Sequence, residues 1–302
     1  MPHTAIVIAG PTAVGKSALA MHLAWKYHTG ILSADSRQCY REMHIGVAAP
    51  SVAEMAEVPH FFVKTHSIHQ QVTAATFAQY GRKVLDKMFQ TSNIAIVAGG
   101  TGLYLKALLH GLDEIPLIPK AVCTQVRAGY EAGGLTWLQQ QLAQHDKTFT
   151  DFGEKENPHR LMRALEVMLA TGQPLAQWQQ GTRLQNNFDT LWIGLDLPRK
   201  QLYESINARV DEMMRAGLLD EVKGLMTYKQ LPALQTVGYR ELFEYLDGLC
   251  SLDQAVENIK TNTRRYAKRQ LTWFRNQETM RWFEPRETDA IEGYLAETIL
   301  PS

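Results

Sequence analysis

Thr4-Ala-Ile-Val-Ile-Ala9, followed by Gly10-Pro11-Thr12-Ala13-Val14-Gly15-Lys16-Ser17, is the stretch that decides the fold: an apolar run, then G-x-x-x-x-G-K-S, then a helical pattern over Ser17 to Tyr27. The run reads as a buried strand that delivers the chain into a glycine turn and out along a helix. In that context the glycines let the backbone curl so that successive N–H groups point inward at phosphate oxygens. Lys16 adds a point charge, and Ser17 a hydroxyl suited to Mg²⁺. A di- or triphosphate is the expected ligand of residues 10–17.

Three more short apolar runs share the character of buried parallel strands, Ile31 to Ala34, Asn93 to Ala98 and Thr190 to Leu197, each bounded by Gly, Asp or Pro. Helical periodicity separates them, over Thr76 to Phe89, Leu103 to Leu109, Leu161 to Thr171, Arg199 to Met226 and Leu252 to Arg275. Alternating strands and helices predict an α/β fold, a P-loop NTPase-like parallel sheet flanked by helices. Between Asp113 and Arg183 the pattern changes: no strand is discernible and glutamine is dense, as in Trp137-Leu-Gln-Gln-Gln141 and Trp178-Gln-Gln180. The expected organisation is therefore a core of residues 1–112 and 184–302 with an all-helical insertion at 113–183. Pro116 to Pro119 and the polar stretch Gln180 to Asn187 serve as linkers.

At 302 residues with 45% apolar content the chain can bury a sizeable core, and Lys plus Arg equal Asp plus Glu at 31 each. A neutral protein has no overall field to draw it onto nucleic acid or an anionic membrane, so any polyanion must be held by a local patch. Cys39, Cys123 and Cys250 lack metal-ligand spacing and are too few for a disulfide framework, as expected in a reducing compartment. No charged-then-apolar leader precedes the first strand, and no apolar run reaches the roughly 18 residues of a membrane span. A cytoplasmic, monomeric protein without membrane association is expected.

One strand candidate ends in Ser33-Ala34-Asp35-Ser36-Arg37-Gln38, the other in Gly99-Gly100-Thr101-Gly102 with no acid. Asp35 is thus the carboxylate expected at a strand C-terminus beside the phosphate loop, where ligands bind in open α/β sheets. Three roles are open to it: Mg²⁺ ligand, general base, or N-cap of the next element. The turn at 99–102 would bring backbone N–H groups and the Thr101 hydroxyl to the same crevice. Arg209 is either a surface partner of Asp211 or Glu212 or a clamp on a diphosphate. Residues 260–281 carry Lys260, Arg264, Arg265, Lys268, Arg269, Arg275 and Arg281 against one acid, Glu278. At 100° per residue Ile259, Tyr266, Gln270, Trp273 and Phe274 share one side, and Arg264, Arg265, Lys268 and Arg269 the other. This is an anchored helix whose basic face suits a nucleic-acid backbone. Arg160 and Arg163 form a smaller basic edge, while His60, His66 and His69 lack the spacing of a metal site.

Eight blocks in order, GPTAVGKS at 10–17, DSRQCYREMHIG at 35–46, VPHF at 58–61, GGTGLY at 99–104, NPHRLMRALEV at 157–167, RVDEMMRAGLLDEV at 209–222, VGYRE at 237–241 and TRRYAKRQLTWFR at 263–275, resemble the tRNA isopentenyltransferase (dimethylallyltransferase) family of bacterial type. The resemblance implies that dimethylallyl diphosphate, with Mg²⁺, occupies the loop in place of ATP. The acceptor would be the exocyclic N6 amine of the adenine 3′ of the anticodon in a tRNA anticodon stem-loop. It implies catalytic roles for Asp35, as acceptor of the amine proton, for Thr101 beside the reacting centre, and for Arg209 on the diphosphate, with Ser17 at the metal. It implies tRNA contacts from Asp35, Ser36, Arg37, Gln38, Thr101, Cys123, His159, Arg160, Leu161, Met162, Arg163, Arg265, Lys268 and Arg269. The chain departs from the family pattern at Val47-Ala48-Ala49-Pro50, where Thr-Ala-Lys-Pro is common. The zinc-finger extension of some relatives is not expected. Alternative readings are an adenylate isopentenyltransferase, which would not need the insertion or basic helix, a small-molecule P-loop kinase, and a non-catalytic RNA-binding switch.

Overall fold

The computed structural model describes residues 3–146, 155–179, 181 and 184–299. They fall into two compact units, one of residues 1–109 and 185–302, the other of residues 110–184.

The first unit runs β1 (Thr4–Ala9), α1 (Lys16–Lys26), β2 (Ile31–Ser33), α2 (Val52–Glu57), β3 (His60–Phe61), α3 (Ala74–Met88), β4 (Ile94–Gly99) and α4 (Gly102–Leu109). The second unit contributes α5 (Lys120–His145), α6 (Pro158–Thr171) and α7 (Leu175–Trp178). The first resumes with β5 (Asp189–Leu195), α8 (Arg199–Arg215), α9 (Leu218–Gly224), α10 (Tyr239–Leu246), α11 (Leu252–Gln277), β6 (Arg281–Phe283) and α12 (Thr288–Ile299).

The six strands form one sheet in the order β3-β2-β4-β1-β5-β6, and every pairing is parallel. A parallel strand with helices on both faces must be apolar on both, and β1 and β4 are buried at all six positions. Their side chains alternate between two cores. Ala5, Val7 and Ala9 of β1 and Ala95 and Val97 of β4 face a cluster completed by Phe77 and Leu85 of α3 and Leu105 and Leu108 of α4. Ile6, Ile8, Ile94 and Ile96 face another, with Leu19, Ala20, Leu23 and Ala24 of α1.

Two strands fall outside the sequence reading, β3 and β6, because two or three residues carry no periodicity. The helix expected over Arg199 to Met226 is two helices. Gly217, at φ +100°, ends α8 and starts α9, a left-handed position that suits glycine.

In the second unit α5 is broken at Gly134, whose φ is +62°, and α6 starts at Asn157, whose side chain caps the Arg160 amide with Pro158 in the first turn. Val126, Leu138, Leu142, Leu161 and Leu165 make its core. Among its described residues there is no strand. Of the linker read at 180–187, residues 180, 182 and 183 lie outside the described residues.

Candidate active site

The loops after β1, β2 and β4 emerge at the same edge of the sheet, because parallel strands all present their C-terminal ends there. They border a cleft of about 840 Å³ whose wall includes Lys16, Ser17, Asp35, Arg209, Tyr266 and Gln270. A second cavity of about 240 Å³ shares Asp35, Arg209 and Tyr266 and is walled by Val47, Ile206, Val210, Met213 and Val237. The site therefore has a charged side and an apolar side.

The phosphate loop leaves β1 at Gly10, where φ is +149° and a Cβ would lie 2.5 Å from the Leu195 carbonyl oxygen, too close for any side chain. Lys16 Nζ donates to the carbonyls of Gly10 (3.0 Å) and Pro11 (2.6 Å), so the ammonium is held at the mouth of the loop. Burial, then the positive charge of Arg209, lower its pKa to about 7, with Asp35 pulling the other way. Burial lowers Arg209 as well, opposed by Asp35 and Glu212. Arg209 lines the cleft; of its two expected acidic partners Asp211 is paired at 2.8 Å with Lys260, and Glu212 is the one that acts on Arg209.

Asp35 Oδ1 accepts the amides of Arg37 (2.8 Å) and Gln38 (3.2 Å). It caps a turn rather than a helix, since residues 36–39 are turns. Among the described residues no hydrogen bond reaches Oδ2, which leaves that oxygen for chemistry in the cleft. Thr101 Oγ1 accepts the Ser36 amide at 3.1 Å and is hydrogen-bonded to the Tyr266 hydroxyl. Burial first, and Asp35 second, push Tyr266 up to about 12, with the Thr101 hydroxyl donating to its oxygen and pulling the other way, so the phenol stays neutral at ordinary pH.

The neighbours of Asp35 are partly committed to structure. Arg37 Nη1 donates to the carbonyls of Pro232 (3.3 Å) and Ala233 (3.2 Å). Gln38 accepts from Ser33 Oγ (2.8 Å) and donates to the Ala48 carbonyl (2.9 Å), which ties down the loop that carries Val47 and Ala49 into the cleft. That loop has an anchor with no signal in the sequence. Glu221 takes the amides of His44 (3.0 Å), Ile45 (2.7 Å) and Gly46 (3.1 Å), and the Tyr239 hydroxyl at 2.5 Å.

The basic face of α11 is narrower than its helical wheel suggests. Arg265, Lys268 and Arg269 are exposed. Arg264 instead turns inward to Asn207 (2.7 Å) and Thr261 (2.9 Å), because α8 packs along that side of α11. Lys260 is bound to Asp211 and Glu257, Arg275 bonds Asp196 at 2.5 Å, and Arg281 lies 4.8 Å from the centre of the Tyr294 ring. Of the seven cations only Lys260 and Arg264 are partly buried; Arg275 and Arg281 are exposed but already partnered, which leaves Arg265, Lys268 and Arg269 as the exposed cations without an acidic partner among the described residues.

Cys123 and His159 to Arg163 belong to the second unit. His159 and Arg160 are exposed, Met162 is partly buried, and Leu161 is fully buried in that unit's core. Burial and the Glu166 carboxylate raise the Cys123 thiol, and Arg163 sits 3.6 Å from the same carboxylate.

No group of three or more His, Cys, Asp or Glu among the described residues is arranged to hold a metal. Ser17 is exposed at the start of α1 and lines the cleft; its hydroxyl could complete the coordination of an ion held mainly by a phosphate ligand, which is how Mg²⁺ commonly binds.

Comparison with known proteins identifies the family and its fold. A model of the IPP transferase family matches residues 38–277. The chain is 41% identical over 290 residues to a tRNA dimethylallyltransferase of Cytophaga hutchinsonii, covering 96% of this chain and 95% of that one. Its fold is similar to the crystal structure of a full-length tRNA isopentenylpyrophosphate transferase from Bacillus halodurans, with TM-score 0.72 and 32% identity, covering 97% of this chain and 96% of that one. A eukaryotic dimethylallyltransferase described as acting on tRNA superposes with TM-score 0.80 at 25% identity, covering 98% of this chain and 79% of that one.

Proposed function

Because the chain belongs to the IPP transferase family, we propose that it transfers the dimethylallyl group of dimethylallyl diphosphate to the N6 amine of the adenine 3′-adjacent to the anticodon in tRNA, releasing diphosphate. The observation that carries this reading is one cleft holding two cations for a leaving diphosphate, Lys16 and Arg209, and a carboxylate at a strand end, Asp35, with an oxygen not engaged by the turn amides; the other carboxylate of the wall, Glu212, acts on Arg209.

The adenine amine is a poor nucleophile, since its lone pair is delocalised into the ring. Asp35 Oδ2 takes its proton as N6 bonds to C1 of the prenyl group, a positioned base being worth roughly 10² to 10⁴-fold. The C1–O bond breaks and its electron pair leaves with the diphosphate. Lys16, Arg209 and the loop amides stabilise that developing charge best when water is excluded. Allylic carbon bears positive charge in the transition state, and the apolar wall of Val47, Ile206, Val210, Met213 and Val237 shields it from solvent. Thr101, held by Ser36 and Tyr266, is proposed to act beside the reacting centre by holding the turn that carries Asp35 and Ser36. Ser17 would hold Mg²⁺ together with the diphosphate, and the ion would supply further neutralisation of the leaving group.

Extruding a base from a stacked loop costs a few kcal/mol. Contacts to RNA phosphates offset that cost, supplied in this proposal by Arg265, Lys268 and Arg269 with Ser36, Arg37 and Gln38. Cys123, His159, Arg160, Met162 and Arg163 are proposed as the second unit's contribution. Leu161 acts there only by supporting its neighbours from the core. The proposed protein works as a cytoplasmic monomer; among the described residues no helix is long and apolar enough to cross a membrane.

The test is incubation of an anticodon stem-loop RNA with labelled dimethylallyl diphosphate and Mg²⁺, then mass analysis of its nucleosides. A prenylated adenosine is expected. Consumption of ATP with the prenyl donor ignored would point instead to a phosphoryl-transfer enzyme.

A further inference from the structure

One buried side chain joins the two glycine turns that face each other across the cleft. Gln270 of α11, 7% exposed, accepts the Thr12 amide through Oε1 at 2.9 Å and donates through Nε2 to the Gly100 carbonyl at 2.8 Å. Both bonds form in one orientation of the amide only, since turning it over would set N–H against N–H and carbonyl against carbonyl. The fit leaves no slack: a Cβ on Gly100 would lie 2.2 Å from Gln270 Nε2. On either side along the same helix, Tyr266 bonds Thr101, and Trp273 lies against Gly102, where a Cβ would come within 2.3 Å. The opposite face of this helix carries the exposed Arg265, Lys268 and Arg269. A single rigid element thus touches the phosphate loop and the Thr101 turn with one side, and offers cations to a polyanion with the other.

We infer that Gln270 is a positioning residue that fixes the phosphate loop against the Thr101 turn, and that through it RNA bound on the outer face of α11 and diphosphate bound in the loop strengthen each other's binding. The inference rests on prenyl transfer to RNA as the reaction of this cleft. When RNA holds α11 in place, Gln270 holds Thr12 and Gly100, so the loop is already ordered when diphosphate arrives. By linkage the reverse effect must have the same size.

The test uses the full chain, an anticodon stem-loop RNA and inorganic diphosphate, which fills the loop without reacting. Calorimetry gives the dissociation constant of each ligand with and without the other. In the native protein each should tighten the other by the same factor, about tenfold within the range usual for coupled sites. Gln270→Ala should bring that factor to about one and raise KM for the prenyl donor. Gln270→Glu keeps the acceptor for Thr12 but loses the donor to Gly100, and should give an intermediate factor. Melting curves identify a variant that fails to fold, and should Gln270→Ala be one, Gln270→Glu decides the question. A native protein that prenylates RNA but shows no mutual tightening overturns the inference alone, as does a folded variant that keeps the full factor. A native protein that binds diphosphate but never prenylates RNA overturns the functional reading, and this inference with it.

Discussion

Diphosphate binding should be accompanied by uptake of a proton at Lys16. In the cleft burial and Arg209 bring this ammonium from 10.5 to about 7, so near neutral pH it is charged only part of the time. A bound diphosphate places several negative charges beside Nζ and restores the ordinary preference for the charged form. Binding should then take up about 0.1 proton at pH 6, about 0.5 at pH 7 and about 0.9 at pH 8, if the free-protein pKa is about 7. Above pH 7 affinity should fall about tenfold per unit, each unit being worth about 1.4 kcal/mol. Isothermal titration of inorganic diphosphate at pH 8, in buffers of different ionisation enthalpy, reads the uptake directly as the slope of heat against that enthalpy. Lys16→Arg keeps the charge at every pH and should lower the uptake by nearly one proton at pH 8, the difference from the native slope cancelling any protons exchanged by the diphosphate itself. An unchanged slope in Lys16→Arg would refute the assignment. The same shift bears on folding. Between about pH 7 and 10.5 the unfolded chain holds the lysine proton and the folded chain does not, so this group's contribution to stability rises with pH across that window.

Asp35→Asn retains the acceptor for the Arg37 and Gln38 amides while removing the base. It should cut prenyl transfer at least about a hundredfold in single-turnover assays while RNA affinity holds, and equal losses in both would count against Asp35 as base. Replacing Arg265 and Arg269 together by Ala should weaken RNA binding and reduce the slope of log affinity against log salt by about 1.5, the expectation for two phosphate contacts. An unchanged slope removes that face of α11 from the RNA site. Glu221→Ala strands the amides of His44, Ile45 and Gly46 and the Tyr239 hydroxyl. A loss of about 1–3 kcal/mol in denaturant melts is expected; a neutral result would show that the loop holds itself.

The strands that a reader of the sequence can find are the ones buried on both faces. β1, β4 and β5 lie in the middle of the sheet and must be apolar at nearly every position, whereas β3 and β6 are outermost and two and three residues long. The break at Gly217 has a signal, glycine following Arg215-Ala216, which the continuing apolar period masks. Arg264 escapes the sequence reading for a different reason. A helical wheel assumes one buried face, and α11 is packed by α8 and by α10, so part of its basic arc is enclosed. Gln270 stands out as a polar residue on an apolar face, yet nothing local says what it meets, since its partner Thr12 is 258 residues away.

By itself, the sequence determined the phosphate loop, the strand that feeds it, Asp35 at a neighbouring strand end and the two-part organisation of the chain. Each of these depends on residues adjacent along the backbone: a glycine spacing, an apolar run, a change of periodicity. The tertiary structure decided the charge state of Lys16, the inward turn of Arg264, the anchoring of the 44–46 loop by Glu221 and the bridge made by Gln270. Those depend on which distant groups share a desolvated space. Burial and hydrogen-bond geometry are properties of that space rather than of any segment bordering it.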